Sequence, residues 1–239
     1  MNKICLLILL FVTSAKAEVI RFPDDELAKE SVLPIFDKPV SVRNRLVELK
    51  GRVELGAGGA YDMTQAFFLA YGLGATASYH FNEEQGLNFF GNYWAQGPSD
   101  YSKQLNPPPR ATQNMNLQLA PAPKWLLLAN YQHTGFYGKM SFSKETVMNL
   151  SLYGLAGIGA FGIGDAVKPT VSVGLGQKFY FSPNIALRFD LRLLLYRGPN
   201  ILDANLANAT TNVSDSEFPQ KFMTTTLLNG SLVFLLPNT

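Results

Sequence analysis

The chain of 239 residues carries 20 basic and 18 acidic side chains and a single cysteine. One cysteine excludes a disulfide scaffold and a thiolate metal site, and the near-neutral balance lacks the clustered basic excess of a nucleic-acid binder. Beyond the first residues no stretch offers about 18 continuous apolar residues, so no helix is expected to cross a membrane.

Met1-Asn2-Lys3 places a positive charge ahead of the apolar run Ile4 to Val12, and Ala15-Lys16-Ala17 supplies small residues where a signal peptidase reads. This is the pattern of a cleaved export signal, with processing after Ala17. Cys5 lies inside the apolar run without the small residues that precede a lipid-modified cysteine. Cleavage removes Cys5, Lys3 and Lys16 and no acidic residue, so the mature chain is expected to be neutral.

Residues 18–50 are charged and punctuated by Pro23, Pro34 and Pro39. They are expected to form a short periplasmic N-terminal lead-in, with a brief helix near Glu26 to Ser31 and room to engage a periplasmic protein partner. From Gly51 to residue 239 the pattern changes to alternation with period two, the signature of strands.

The first predicted strand, 51–61, puts Val53, Leu55 and Tyr61 on one face and Arg52 and Glu54 on the other. The second, 68–81, sets Leu73, Tyr79 and Phe81 against Gly72, Gly74, Ser78 and His80, and a polar turn follows at 82–85. The third, 86–95, sets Leu87, Phe89 and Tyr93 against Asn88, Phe90, Asn92 and Trp94. A long connection, 96–123, holds two proline clusters. Strands are then predicted over 124–137, 146–160, 169–181, 185–196 and 221–236, with a tight turn at Ser182-Pro183-Asn184 and a long loop over 198–219.

The segments run about 10–14 residues, the length a tilted strand needs to cross an apolar layer, against a soluble mean of about 5–6. Their number is even, and short connections alternate with long ones, as in barrels whose short turns face the periplasm. Backbone edges cannot stay unpaired in hydrocarbon, so the sheet must close. The expected fold is therefore all-β: an eight-stranded antiparallel up-and-down transmembrane β-barrel in the outer membrane of a diderm, Gram-negative-type bacterium. Outer-membrane lipid and the barrel assembly machinery are the partners such an architecture implies. An eight-stranded lumen has room only for side chains, and inward glycines at 56, 58, 72, 74, 174 and 176 would make space for larger residues opposite, or mark bulges.

The stretch Gly72 to Gly86, the run Tyr137-Gly138-Lys139-Met140, and Gly174 to Leu193 with Tyr196-Arg197-Gly198-Pro199 resemble the outer membrane β-barrel domain family of Bdellovibrio-like and myxobacterial bacteria. The resemblance covers roughly residues 20–200 and implies the same fold and location; it transfers no activity and no site residues. The C-terminus departs from the common barrel pattern, because Pro237-Asn238-Thr239 follow Phe234 where a terminal aromatic is usual.

Inward parity gathers Arg52, Glu54, Lys178, Arg188, Asp190 and Arg192. These six are expected to form a lumen charge network that plugs the barrel; the alternative is the charged lining of a small-solute pore. Buried charges persist only when paired, which favours the plug. A lipid-modifying enzyme would need a base from His80 or His133, and Ser78 lies two residues from His80 on one face. Same-face neighbours on a strand stand about 6–7 Å apart, too far for a hydrogen-bonded catalytic set. No catalytic residue, cofactor or metal site is therefore expected. The Asn-x-Ser/Thr triplets at Asn149, Asn208, Asn212 and Asn229 are read as composition. The expected role is structural or interactive, within the cell envelope.

Overall fold

The computed structural model describes residues 47–105, 120–141, 147–201 and 214–237. The proposed signal, the Glu26 to Ser31 helix and most of the lead-in lie outside the described residues. Eight antiparallel strands follow in chain order: β1 Val53–Asp62, β2 Tyr71–His80, β3 Gln85–Trp94, β4 Pro123–Ser141, β5 Val147–Ile163, β6 Ala166–Ser182, β7 Ile185–Pro199 and β8 Gln220–Leu235. Each pairs with its chain neighbours, and β1 pairs with β8 from Glu54↔Leu235 to Asp62↔Leu227, so the sheet closes in up-and-down order. One short helix, α1 Asp100–Leu105, interrupts the long connection between β3 and β4.

The closed ring follows from the alternation. Leu73, Leu175 and Ile158 stand outward at 79%, 63% and 68% exposure, while their chain neighbours on the other parity turn into the lumen. Side chains on successive residues point to opposite faces, and here one parity is apolar almost all the way round. All the exposed tyrosines of the strands and several phenylalanines gather towards the two ends of the ring, while Phe89 and Phe189 lie between. Tyr61, Tyr71 and Tyr93 lie near one end; Tyr79, Phe81, Tyr131, Phe136 and Phe181 lie near the other.

Strand ends differ from the sequence expectation where a hairpin outruns the ring. β5 and β6 continue to Ile163 and from Ala166, leaving Gly164-Asp165 as a two-residue turn with Gly164 at φ +59. Two-residue hairpins need such a left-handed residue, and glycine takes it without strain. Pro169, the first residue of the predicted strand, lies inside β6 and is tolerated there because pairing with β7 begins only at Thr170↔Tyr196. At the opposite end β4 and β5 remain paired out to Ser141↔Val147, beyond β3, whose pairing with β4 ends at Gln85↔His133. A register shift between Thr134 and Phe136 marks the point where β4 leaves the ring.

Candidate functional site: the lumen and its outer mouth

The interior is layered. At the end where the chain enters, Val47 and Leu49 are fully buried against Tyr180, Ala186, Val233 and Leu235. The residues just before β1 thus fold back as an apolar stopper. Glu83, in the β2–β3 turn, fixes them by accepting the backbone N–H groups of Leu49 and Lys50 at 3.1 Å. Arg52 closes the same end by donating to the carbonyls of Leu236 (2.9 Å), Pro183 (3.0 Å) and Leu235 (3.0 Å) and to Asn184 Oδ1 (2.7 Å). It ties the start of β1 to the β6–β7 turn and the end of β8, and among the described residues it pairs with no carboxylate.

The charged layer lies above. Lys178 Nζ donates to both Glu54 oxygens at 2.7 and 2.5 Å, and His80 brings Nε2 within 3.0 Å of Glu54 Oε1. On β7, Asp190 collects Arg188 Nε at 3.1 and 2.9 Å and Arg192 Nη2 at 2.9 Å. Tyr153 donates its hydroxyl to Asp190 Oδ1 at 2.5 Å, and its ring lies under Lys178 and Arg188 at 5.2 and 4.9 Å. Arg188 and Arg192 also reach Ser78 Oγ (3.3 Å) and Asn88 Oδ1 (3.1 Å) on the far wall. Five of the six residues singled out from the sequence therefore meet in one layer, and all five are at most 1% exposed. Arg52 stands apart from it.

Two members were not singled out as network residues. Tyr153 is on the inward parity of β5, and its reach across to β7 depends on Gly176. A Cβ there would collide with the Tyr153 ring and with Asp190 Oδ1. Gly176 therefore makes room for a larger residue opposite, as expected. Gly58 and Gly72 act differently, since a Cβ at either would meet the backbone of the adjoining strand. His80 was weighed only as a base; its contact is Glu54, while Ser78 Oγ accepts from Asn88 Nδ2 at 3.0 Å. His133 is outward on β4 and exposed.

Above the charges the lumen turns apolar. Phe90, Trp94, Leu126, Leu128, Phe161, Ile163, Leu194, Tyr196 and Leu227 form one buried cluster. Trp94 stacks on Phe161 at 5.1 Å and Tyr196 meets Phe161 edge-on at 4.9 Å. Arg192 lies 4.4 Å over Phe90, at the border between layers. Eight strands enclose only side-chain space, and here that space is filled by two apolar stoppers with paired charges between them.

The connections at the end away from the chain entry, called the outer end after the expected topology, meet over this cluster, where Phe68, Ala120 and Phe218 pack together. Beneath them a chamber of about 350 Å³ remains, bordered by Asp62, Phe67, Phe68, Ile163, Tyr196 and Thr225 among others. Beside it, Asp165 in the β5–β6 turn accepts Ser214 Oγ at 2.7 Å and the Asp215 N–H at 3.0 Å. These bonds, the Ser214 hydroxyl first, hold the Asp165 carboxyl below its ordinary range. A depressed carboxyl contributes its tether above its unfolded titration range and loses it as pH falls through the lower folded value. The protection of the Asp215 N–H, measured against the intrinsic exchange rate at each pH, is therefore expected to fall in acid, and in Asp165→Ala to be low at every pH.

Among the described residues there is no group of three or more His, Cys, Asp or Glu placed to hold a metal ion. No helix among the described residues is long and apolar enough to cross a membrane, which bears on helices alone. No protein-family description and no curated protein matches the chain. Among solved structures, the crystal structure of Neisserial surface protein A is similar over 77% of this chain and 95% of that one, at 12% identity and a TM-score of 0.34. The eight-stranded closed sheet rests on its own strand pairing.

Proposed function

We propose that the chain is a small integral outer-membrane barrel of a diderm bacterium, exported on a signal cleaved after Ala17, with a sealed lumen and a structural or interaction role. The observation that carries this reading is the outward coat. Large apolar side chains are exposed around the ring, and soluble monomers rarely expose more than a few hundred Å² of contiguous apolar surface. Tyr71 and Tyr79, at the two aromatic-rich ends, are eight residues apart on β2. That is about 26 Å along a strand at roughly 3.3 Å per residue, or about 20 Å along the axis at a tilt of about 40°. An apolar band of about 25 Å between aromatic girdles is the dimension of an outer-membrane barrel.

Lipid acyl chains are the partner of this coat, and the barrel assembly machinery is the agent of its insertion. Of residues 18–50, Val47 to Lys50 are taken up by the end of the barrel, which leaves 18–46 for a periplasmic partner; the resemblance to the outer membrane β-barrel domain family belongs to the same reading. The filled lumen argues against conduction, and with Ser78 turned to Asn88 and His80 to Glu54 no catalytic role is assigned.

Fractionation and gel mobility test the proposal. The mature protein is expected in the outer-membrane fraction, beginning at Glu18, and to migrate faster unboiled than boiled. Tags within 98–112 or 205–216 should be reached by antibody on intact cells, and a tag within 82–85 should stay hidden. Recovery in the soluble periplasmic fraction would reject the membrane reading, and reversed labelling would invert the orientation.

A further inference from the structure

Among the described residues four carboxylates are buried: Glu54, Asp62, Asp190 and Asp215. Glu54 is paired with Lys178, Asp190 with Arg188 and Arg192, and Asp215 with Lys168. Asp62 is the exception. At the outer end of β1 it is 2% exposed, and its Oδ1 accepts the Thr64 N–H and hydroxyl at 2.9 and 2.8 Å. No ion pair among the described residues includes it. A carboxylate withdrawn from bulk water without a cation is costly.

Asp62 also borders the outer chamber, whose other walls are largely aromatic and apolar: Phe67, Phe68, Tyr196 and Ile163. At about 350 Å³ the chamber falls within the range of small-molecule sites, roughly 300–1,000 Å³. A few polar groups in an apolar pocket fix a ligand's orientation, and aromatic faces attract cations. Thr225, the buried hydroxyl of the lining, is engaged with Tyr196 OH at 3.2 Å. Thr64, Gln65, Asn200 and Thr224 add neutral polar groups to the lining, and Asp62 is its one acidic residue. Lys221 also lines the chamber, but it is exposed and can keep its ammonium in water.

From this juxtaposition we infer that the outer mouth is a binding site for a small organic cation, an amine on an apolar or aromatic body. The ammonium pairs with Asp62 and the body lies against Phe67, Phe68 and Tyr196. The charged layer takes no part, because the buried apolar cluster separates it from the chamber.

The test is calorimetric titration of the purified full chain in phospholipid nanodiscs with 2-phenylethylamine, empty nanodiscs being subtracted. Saturable binding is expected, weakened at least tenfold in Asp62→Asn, which keeps the side-chain shape and an oxygen for Thr64. The anion 3-phenylpropionate, of matching size, should bind no better to wild type than to Asp62→Asn. Thr225→Phe, which fills the chamber and leaves Asp62 in place, should abolish amine binding. Absence of saturable amine binding to wild type, equal affinity in Asp62→Asn, or preference for the anion with loss in Lys221→Gln would each overturn the assignment. If Asp62→Asn fails to fold, undiminished binding to Thr225→Phe would do the same.

Discussion

Asp190→Ala is expected to lower the stability of the barrel by about 3–5 kcal/mol, the usual cost of removing one partner from a buried ion pair. Asp190 holds Arg188, Arg192 and Tyr153 at once, so its loss strands two guanidinium groups and a hydroxyl in a layer without access to bulk water. The remaining carboxylate, Glu54, is already committed to Lys178. In Asp190→Asn the shape survives and one oxygen still accepts, but the charge is gone, so most of the loss should remain. Urea unfolding from micelles, followed by tryptophan fluorescence and gel mobility, would read the midpoints. Arg188→Met combined with Asp190→Ala should cost less than the sum of the two single changes, because the double variant removes one stranded charge.

The same variant separates a plug from a channel. If the charges alone sealed the lumen, Asp190→Ala would open it; the apolar layers above and below predict that it stays shut. Neither wild type nor variant should conduct steadily in planar bilayers. Ion-selective steps in wild type that vanish in Asp190→Ala would make the charged layer a conduction path and displace the sealed-barrel reading.

How much of this was legible depended on whether a neighbour could erase the period of two. On β7, Arg188, Asp190 and Arg192 alternate with Leu187, Phe189 and Leu191, so their inward placement could be read from the chain alone. Near the outer end the alternation disappears: Trp125 to Leu128 and Leu193 to Leu195 are apolar on both parities. Parity carried over from the polar part of each strand still put Phe90, Trp94, Leu194 and Tyr196 inward, but within Trp125 to Leu128 an inward Leu126 looks like an outward residue, and nothing marked these residues as one buried cluster. Arg52 shows a different limit. Its inward parity was readable, but its partners are mostly carbonyls, which every residue carries. The stopper formed by Val47 and Leu49 fell on the lead-in side of a boundary drawn where alternation begins, because two apolar residues set no period. Helix α1 is hidden in the 96–123 connection for the same reason, being six residues long.

Gly58→Ala is expected to be the most damaging single-methyl change in β1, while Gly59→Ala, at the next residue, should be tolerated. Gly58 turns inward at the closing seam, opposite Ser231 of β8 and Gly74 of β2. A Cβ there would overlap the Gly230 carbonyl oxygen and stand 2.5 Å from Ser231 Cα. These are main-chain atoms of β8, so no rotamer change can yield space; β8 must withdraw and its ladder with β1 must break. Overpacking a core that can adjust its side chains costs about 1–3 kcal/mol, and a rigid obstacle should exceed that. An opened seam also leaves backbone groups unpaired, which hydrocarbon does not tolerate. Gly59 points outward, and the nearest atom to a Cβ there is Gly72 O at 3.9 Å. Alanine at that position should be neutral or gain about 0.5–1 kcal/mol by restricting the unfolded chain. Refolding yields of the fast-migrating form, scored side by side for the two variants, would decide the matter. Equal tolerance would mean that β1 and β8 do not meet in this register.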